Sequence, residues 1–96
     1  MVFRANMWHV YIIRTKKGHL YTGVTQDVHR RFKEHQKEGG KGAKYLKGKK
    51  PLKLVFHKKI GSRAQALIIE AQIKKWPKKK KEALANNETT LEQLQN

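Results

Sequence analysis

The sequence predicts a single α/β (α+β) domain, a small three-stranded antiparallel sheet flanked by helices in the order β-β-α-β-α-α. Three observations predict it. The runs WHVYIIRT, HLYTGVT and LKLVFHKKI are rich in β-branched and aromatic residues and alternate like half-buried strands. Segments with helical spacing of apolar residues follow Asp27 and Ser62, each a good N-cap. With 96 residues there is room for one domain and a modest core.

Taken in order, the first strand runs from Trp8 to Thr15, with Trp8, Val10 and Ile12 on one face and Tyr11 and Ile13 on the other. KKG follows, Gly18 suits the positive φ of a tight turn, and His19 to Thr25 completes a hairpin. Alternation allows Tyr11 and Tyr21 to share a face. Gly23 interrupts the second strand, which marks either a bulge or a place where something approaches the backbone. Asp27 caps a helix expected to reach about Glu38, stopped by Gly39 and Gly40. Its stripe of Val28, Phe32 and His35 turns His35 inward, with Arg31 beside it.

GGKGAKYLKGKKP is longer than a compact domain carries without a use for it. The third strand spans Leu52 to Ile60, with Leu52, Leu54 and Phe56 alternating. Ser62 then caps RAQALIIEAQIKKW, apolar on most sides and therefore expected to be central. Pro77 ends or kinks that helix, and PKKKKEAL starts a short basic one with proline in its first turn. The domain is expected to occupy residues 1–85, leaving residues 86–96 as a polar, flexible tail.

Charge narrows the function. The chain carries 23 Lys+Arg against 7 Asp+Glu, a formal net charge of +16 whose self-repulsion a polyanion relieves. Nucleic acid is the commonest such partner and an acidic membrane surface the rival, although no apolar run is long enough to span a bilayer. No stretch reads as a signal peptide. The absence of cysteine excludes disulfides and thiolate metal sites and is compatible with a cytosolic protein. The densest positive stretches are KGAKYLKGKK, with Lys41, Lys44, Lys47, Lys49 and Lys50, and KKWPKKKK, with Lys74, Lys75, Lys78, Lys79, Lys80 and Lys81. Neutralising about five phosphates would lower log K with log salt at about 0.9 per phosphate. Tyr45, among the first set of lysines, is a candidate to stack on an unpaired base, against the blander reading of an exposed loop tyrosine.

Glu70 is the informative acid because it interrupts ALIIEAQI. A partly buried carboxylate needs a positive partner, and two are open: an i,i+4 ion pair with Lys74, or a divalent metal. For Tyr11, Tyr21, Arg31 and His35, ordinary packing and a solvated helix side compete with a shared site.

HVY and YTG, with Tyr11 and Tyr21 joined by a short hairpin, then Arg31, His35 and a later helical Glu70, resemble the GIY-YIG nuclease superfamily. The resemblance covers Trp8 to about Leu84. It is closest to the small standalone bacterial branch, whose KGAKY and P.KLV are matched by Lys41 to Tyr45 and Pro51 to Val55, and extends more distantly to the N-terminal catalytic half of the excinuclease. His9 stands where the first motif has glycine, and Thr22 where the second has isoleucine. Family members often carry an asparagine after the glutamate helix, and Asn86 and Asn87 are the residues available here.

The resemblance implies a metal-dependent DNA endonuclease. Glu70 would hold one Mg²⁺ or Mn²⁺, and Arg31 would fork onto the scissile phosphate. Tyr11 would serve as general base or orient the water, Tyr21 would position water or phosphate, His35 would orient a phosphate or assist as a base, and Gly23 would keep the floor open. It implies a substrate chosen by structure, branched or flapped DNA with RNA as an alternative, work in repair or recombination, a partner protein that supplies specificity, and a bacterial cytoplasmic, nucleoid-associated location. Two rivals compete with the enzyme: a non-catalytic DNA- or RNA-binding module that keeps the fold, and a ribosome- or RNA-associated basic protein.

Overall fold

Val10, Tyr11, Ile12 and Ile13 are consecutive and almost sealed from solvent, and a strand buries neighbouring residues only when both its faces are covered. The computed structural model describes residues 7–37 and 42–92 and puts β1 (Trp8–Arg14) in the middle of a sheet of order β2-β1-β3. β2 (Leu20–Thr25) and β3 (Lys53–Gly61) run antiparallel to it on either side. α1 (Val28–Gln36) and a 3-10 turn (Lys44–Leu46) cover the Tyr11 and Ile13 face. α2 (Arg63–Lys75) and α3 (Lys78–Ala85) cover the Val10 and Ile12 face. The order is the expected β-β-α-β-α-α.

Local chemistry starts each element. Gly18 has φ +87° in the hairpin turn, a conformation that costs glycine little. Asp27 accepts the Arg30 N–H at 3.1 Å to open α1. Ser62 and Gln65 form a reciprocal capping box, the Ser62 hydroxyl accepting the Gln65 N–H at 3.1 Å and the Gln65 carbonyl accepting the Ser62 N–H at 3.0 Å. α1 ends at Gln36, short of the expected Glu38; Glu38, Gly39, Gly40 and Lys41 lie outside the described residues.

Three expectations are corrected. Leu54 and Phe56 do not share a face: Ile13 pairs with Leu54 and Ile12 with Phe56, so Val55 is an extra residue in a bulge. The bulge reverses the alternation, sending Leu54 to the Tyr11 side and Phe56 to the Val10 side. α2 is not central. It buries Ala66 and Ile73 while Ile68 is 59% exposed, because one small sheet offers a helix a single face. Finally, Leu91, expected in a loose tail, is buried against Val10, Ile12, Ile73 and Leu84. Past the left-handed Asn87 (φ 59°) the chain folds back, and Glu92 forms an ion pair with Lys58.

Arg14, at the end of β1, grips Glu82 of α3 with both guanidinium nitrogens at 2.7 and 3.0 Å. That bond clamps α3 to the sheet and holds the Glu82 carboxyl below its ordinary range.

Candidate active site

The site begins with a missing side chain. Gly23 lies directly across β1 and β2 from Tyr11. A Cβ on Gly23 would fall 2.6 Å from Tyr11 Cζ and closer still to its oxygen. The pairing is in continuous register, so Gly23 marks close approach rather than a bulge, and what approaches is the tyrosine ring itself.

Lying flat over Gly23, the Tyr11 hydroxyl meets His35 Nε2 at 2.8 Å. His35 points inward from α1, buried as its place in the helical stripe predicts. Its other nitrogen, Nδ1, accepts the Ala43 backbone N–H at 2.9 Å. An accepting Nδ1 leaves the neutral ring its proton on Nε2, so His35 donates to the Tyr11 oxygen. Gly42 makes that delivery feasible, since a Cβ there would sit 2.7 Å from His35 Cα and 3.0 Å from the Glu34 carbonyl oxygen. The KGAKY stretch therefore presses its backbone onto α1 at the histidine.

Burial pushes His35 down to about 4, helped by the charge of Arg31. The imidazole is thus neutral at physiological pH. Burial also pushes the Tyr11 phenol above its ordinary value, with Tyr21 adding to the effect and Arg31 pulling against it without prevailing. Against the pull of burial, Glu34 and Tyr11 raise the pKa of Arg31 itself. Arg31 Nη1 donates to Glu34 Oε1 at 2.8 Å, so a phosphate must share this fork with a carboxylate already in place.

Tyr21 completes the group. Its ring lies 6.3 Å from that of Tyr11 and 5.6 Å edge-on to that of His35. Tyr45 stacks on the outside of Tyr21 at 5.8 Å and 17°, and Lys49 Nζ sits 4.7 Å from the Tyr45 ring centre. The structure thus gathers Tyr11, Tyr21, Gly23, Arg31, His35 and Tyr45, with Lys44, Lys47, Lys49 and Lys50 in the adjoining segment. Lys41 lies outside the described residues.

Glu70 is placed differently. It lies on α2, whose Ile69, Ile73 and Trp76 pack on the opposite sheet face from Tyr11. Its carboxylate pairs with Lys74 at 3.4 Å, the first of the two partners open to it. Because α2 packs against the edge strand β2, the path from Glu70 to the phenols runs past that edge. Lys75 and Lys78, Lys79, Lys80 and Lys81 belong to the α2–α3 side, with Lys80 Nζ 5.0 Å from the Trp76 ring centre. Asn87 lines a shallow groove with Leu54 and His57, while the Asn86 amide reaches Glu88 at 3.5 Å.

Sequence reasoning missed Glu34, Gly42, Ala43 and a row of histidines. The i,i+3 spacing of Arg31 and Glu34 was the one available signal for the first. His57 pairs across the sheet from Tyr11, and its ring meets that of His29 at 6.0 Å. His9 has a buried Nδ1 without a hydrogen-bond partner among the described residues. No three His, Asp or Glu side chains among the described residues are placed to hold a metal ion together. No helix among them is long and apolar enough to cross a membrane.

Comparison with known proteins agrees with the geometry. The GIY-YIG catalytic domain model matches residues 7–83. A UPF0213 protein of Yersinia enterocolitica is 49% identical over 83 residues, covering 86% of this chain and 84% of the relative. One from Photorhabdus laumondii is 51% identical over 79 residues, covering 82% and 74%. The solution NMR structure of a UPF0213 protein from Bacillus halodurans shares 43% identity and a TM-score of 0.51, covering 80% of each chain. The names of these three relatives state no activity.

Proposed function

The chain belongs to the GIY-YIG family, and from that premise we propose that it is a divalent-metal-dependent endonuclease hydrolysing DNA phosphodiester bonds. We take its targets to be chosen by DNA structure, branched or flapped, in repair or recombination, with a partner protein adding specificity and a bacterial cytoplasmic, nucleoid-associated location. The observation that carries this reading is the Tyr11 hydroxyl held over Gly23 by a neutral His35, with Arg31 and Tyr21 beside it.

In this reading Tyr11 is the general base. His35 donates to its oxygen and Arg31 adds positive charge, which together favour the phenolate, and the phenolate takes the proton of the attacking water. Arg31 forks onto the scissile phosphate as Glu34 gives up part of its share. Tyr21 positions the water or phosphate. Glu70 is the carboxylate suited to one Mg²⁺ or Mn²⁺: hard oxygen donors match these ions, a lone carboxylate leaves room for waters and phosphate oxygen, and Lys74 is exposed enough to swing away. The ion, when bound, neutralises charge developing on the phosphate. Burial keeps Tyr11 protonated at rest, so the cleavage rate should climb with pH above neutrality, about tenfold per unit while the phenolate is scarce. A flat profile measured in single turnovers would remove Tyr11 from the role.

One pair of observations favours a second reading, a non-catalytic DNA- or RNA-binding module: Glu70 is paired within its own helix, and burial holds Tyr11 neutral. Nicked, flapped and branched DNA incubated with Mg²⁺ or Mn²⁺ separates the two. Product from wild type, absent with Glu70→Ala, supports the enzyme. Equal binding by both with no product supports the module, and equal cleavage by both betrays a contaminant.

A further inference from the structure

We propose that Tyr45, backed by Tyr21, is a stacking platform for one unpaired nucleobase of the strand entering the site. The proposal rests on the nuclease reading only in placing that base next to the phosphate to be cut.

Tyr45 is 47% exposed even after stacking on Tyr21. It is not a loose loop residue. It sits in a 3-10 turn pinned by Leu46, which is 1% exposed, and by hydrogen bonds from Leu46 N–H to the Ala43 carbonyl and from Lys49 N–H to the Leu46 carbonyl. A further bond, from Lys16 N–H to the Lys49 carbonyl at 3.0 Å, ties the segment to the hairpin turn. The ring is therefore presented by a fixed backbone. Tyr21 stacks behind it and leans edge-on against His35, so the aromatic column leads from solvent to the Tyr11 hydroxyl.

The surroundings select the ligand. No aspartate or glutamate occurs between Glu38 and Glu70, so Lys44, Lys47, Lys49 and Lys50 have no acid of their own segment to neutralise them. An open aromatic face among uncompensated cations fits a ligand with a flat π-surface and a phosphate attached, which is a nucleotide. In a duplex both faces of each base are occupied by neighbouring bases, so only an unpaired or extruded base has a face to offer. Lys49 covers the ring at 4.7 Å in the free protein and is the group such a base displaces, its ammonium moving to a phosphate.

Fluorescence of 2-aminopurine, placed at one unpaired position of a flapped oligonucleotide or in matched duplex, tests this in EDTA with the full chain. Wild type should quench the unpaired probe and bind the flap about tenfold more tightly than the duplex. Tyr45→Phe should keep both properties. Tyr45→Ala should lose the quench and most of the preference while holding duplex affinity within about twofold, because lysine contacts with phosphate ignore base pairing. Lys49→Met should weaken flap and duplex alike and spare the quench. Equal affinity of wild type for flap and duplex, or a quench that survives Tyr45→Ala, overturns the proposal. A melting curve for Tyr45→Ala matching wild type shows that its loss is not unfolding. Cleavage is read separately: stacking without cleavage of any substrate removes the nuclease reading alone, and cleavage without stacking removes the platform alone.

Discussion

The two faces of the sheet are built to different ends. On one, Val10, Ile12, Ile73, Leu84 and Leu91 form an aliphatic cluster with no polar group among them. On the other, Ile13, Val28, Leu46 and Leu52 enclose Tyr11, with His35 bonded to its hydroxyl. The same strand supplies both, since Tyr11 lies between Val10 and Ile12. The first face stores stability through dispersion and dehydration, whereas the second spends part of its interior on a hydrogen-bonded pair that must be satisfied to be tolerated. A strand sealed on both sides lets rigid packing behind the sheet hold a phenol in register before it.

That comparison can be broken at several points. Tyr11→Phe should have the largest effect on function, lowering single-turnover cleavage by about 10²–10⁴-fold if the phenol is the base, while costing about 1–3 kcal/mol in urea unfolding for the orphaned His35 Nε2–H. Behind the sheet, Ile73→Ala should cost about 2–5 kcal/mol of stability by leaving a cavity, with chemistry in the surviving folded fraction unchanged. Loss of cleavage in that fraction would show that the two faces are less separable than their packing implies.

Smaller effects sharpen the contrast. Gly23→Ala and Gly42→Ala should each cost about 1–3 kcal/mol by overpacking, but through different partners, the first displacing the Tyr11 ring and the second the His35 backbone. Ring nitrogen shifts of His35 by NMR should report the Nε2–H tautomer in wild type and Gly23→Ala, and a mixture in Gly42→Ala once the Ala43 bond is weakened. An unchanged tautomer in Gly42→Ala would free the KGAKY segment from this role. The smallest effect is on pH. His35 titrates at about 4 when folded, against an ordinary 6.5, so between those values the unfolded chain binds the extra proton. Stability should fall as pH drops through that window, by at most about 1.4 kcal/mol per unit. The lowered His9 acts in the same direction. Urea midpoints for wild type and His35→Gln should converge towards pH 4, and parallel curves would contradict the assignment.

Much of this molecule is legible in the chain. Strand alternation, the caps at Asp27 and Ser62, and the turn at Gly18 are local properties, fixed within a few residues by backbone sterics and side-chain period. Tyr11, Tyr21, Arg31 and His35 could be placed on one side of the sheet because all lie within a hairpin and the helix directly after it. Glu70 comes from a helix reached through a long connection and the third strand, and the chain did not say on which face that helix would settle.

What the amino-acid sequence alone determined is the order of elements, the inward histidine and the pair of tyrosines on one face, since each follows from short-range periodicity. Tertiary structure decided the rest: the Val55 bulge that separates Leu54 from Phe56, Gly23 as the bed of the Tyr11 ring, the Ala43 N–H that sets the His35 tautomer, and the burial of Leu91. Each of these is a relation between segments distant in the chain. Register and close approach depend on which surfaces meet, and that is settled only when the whole core condenses.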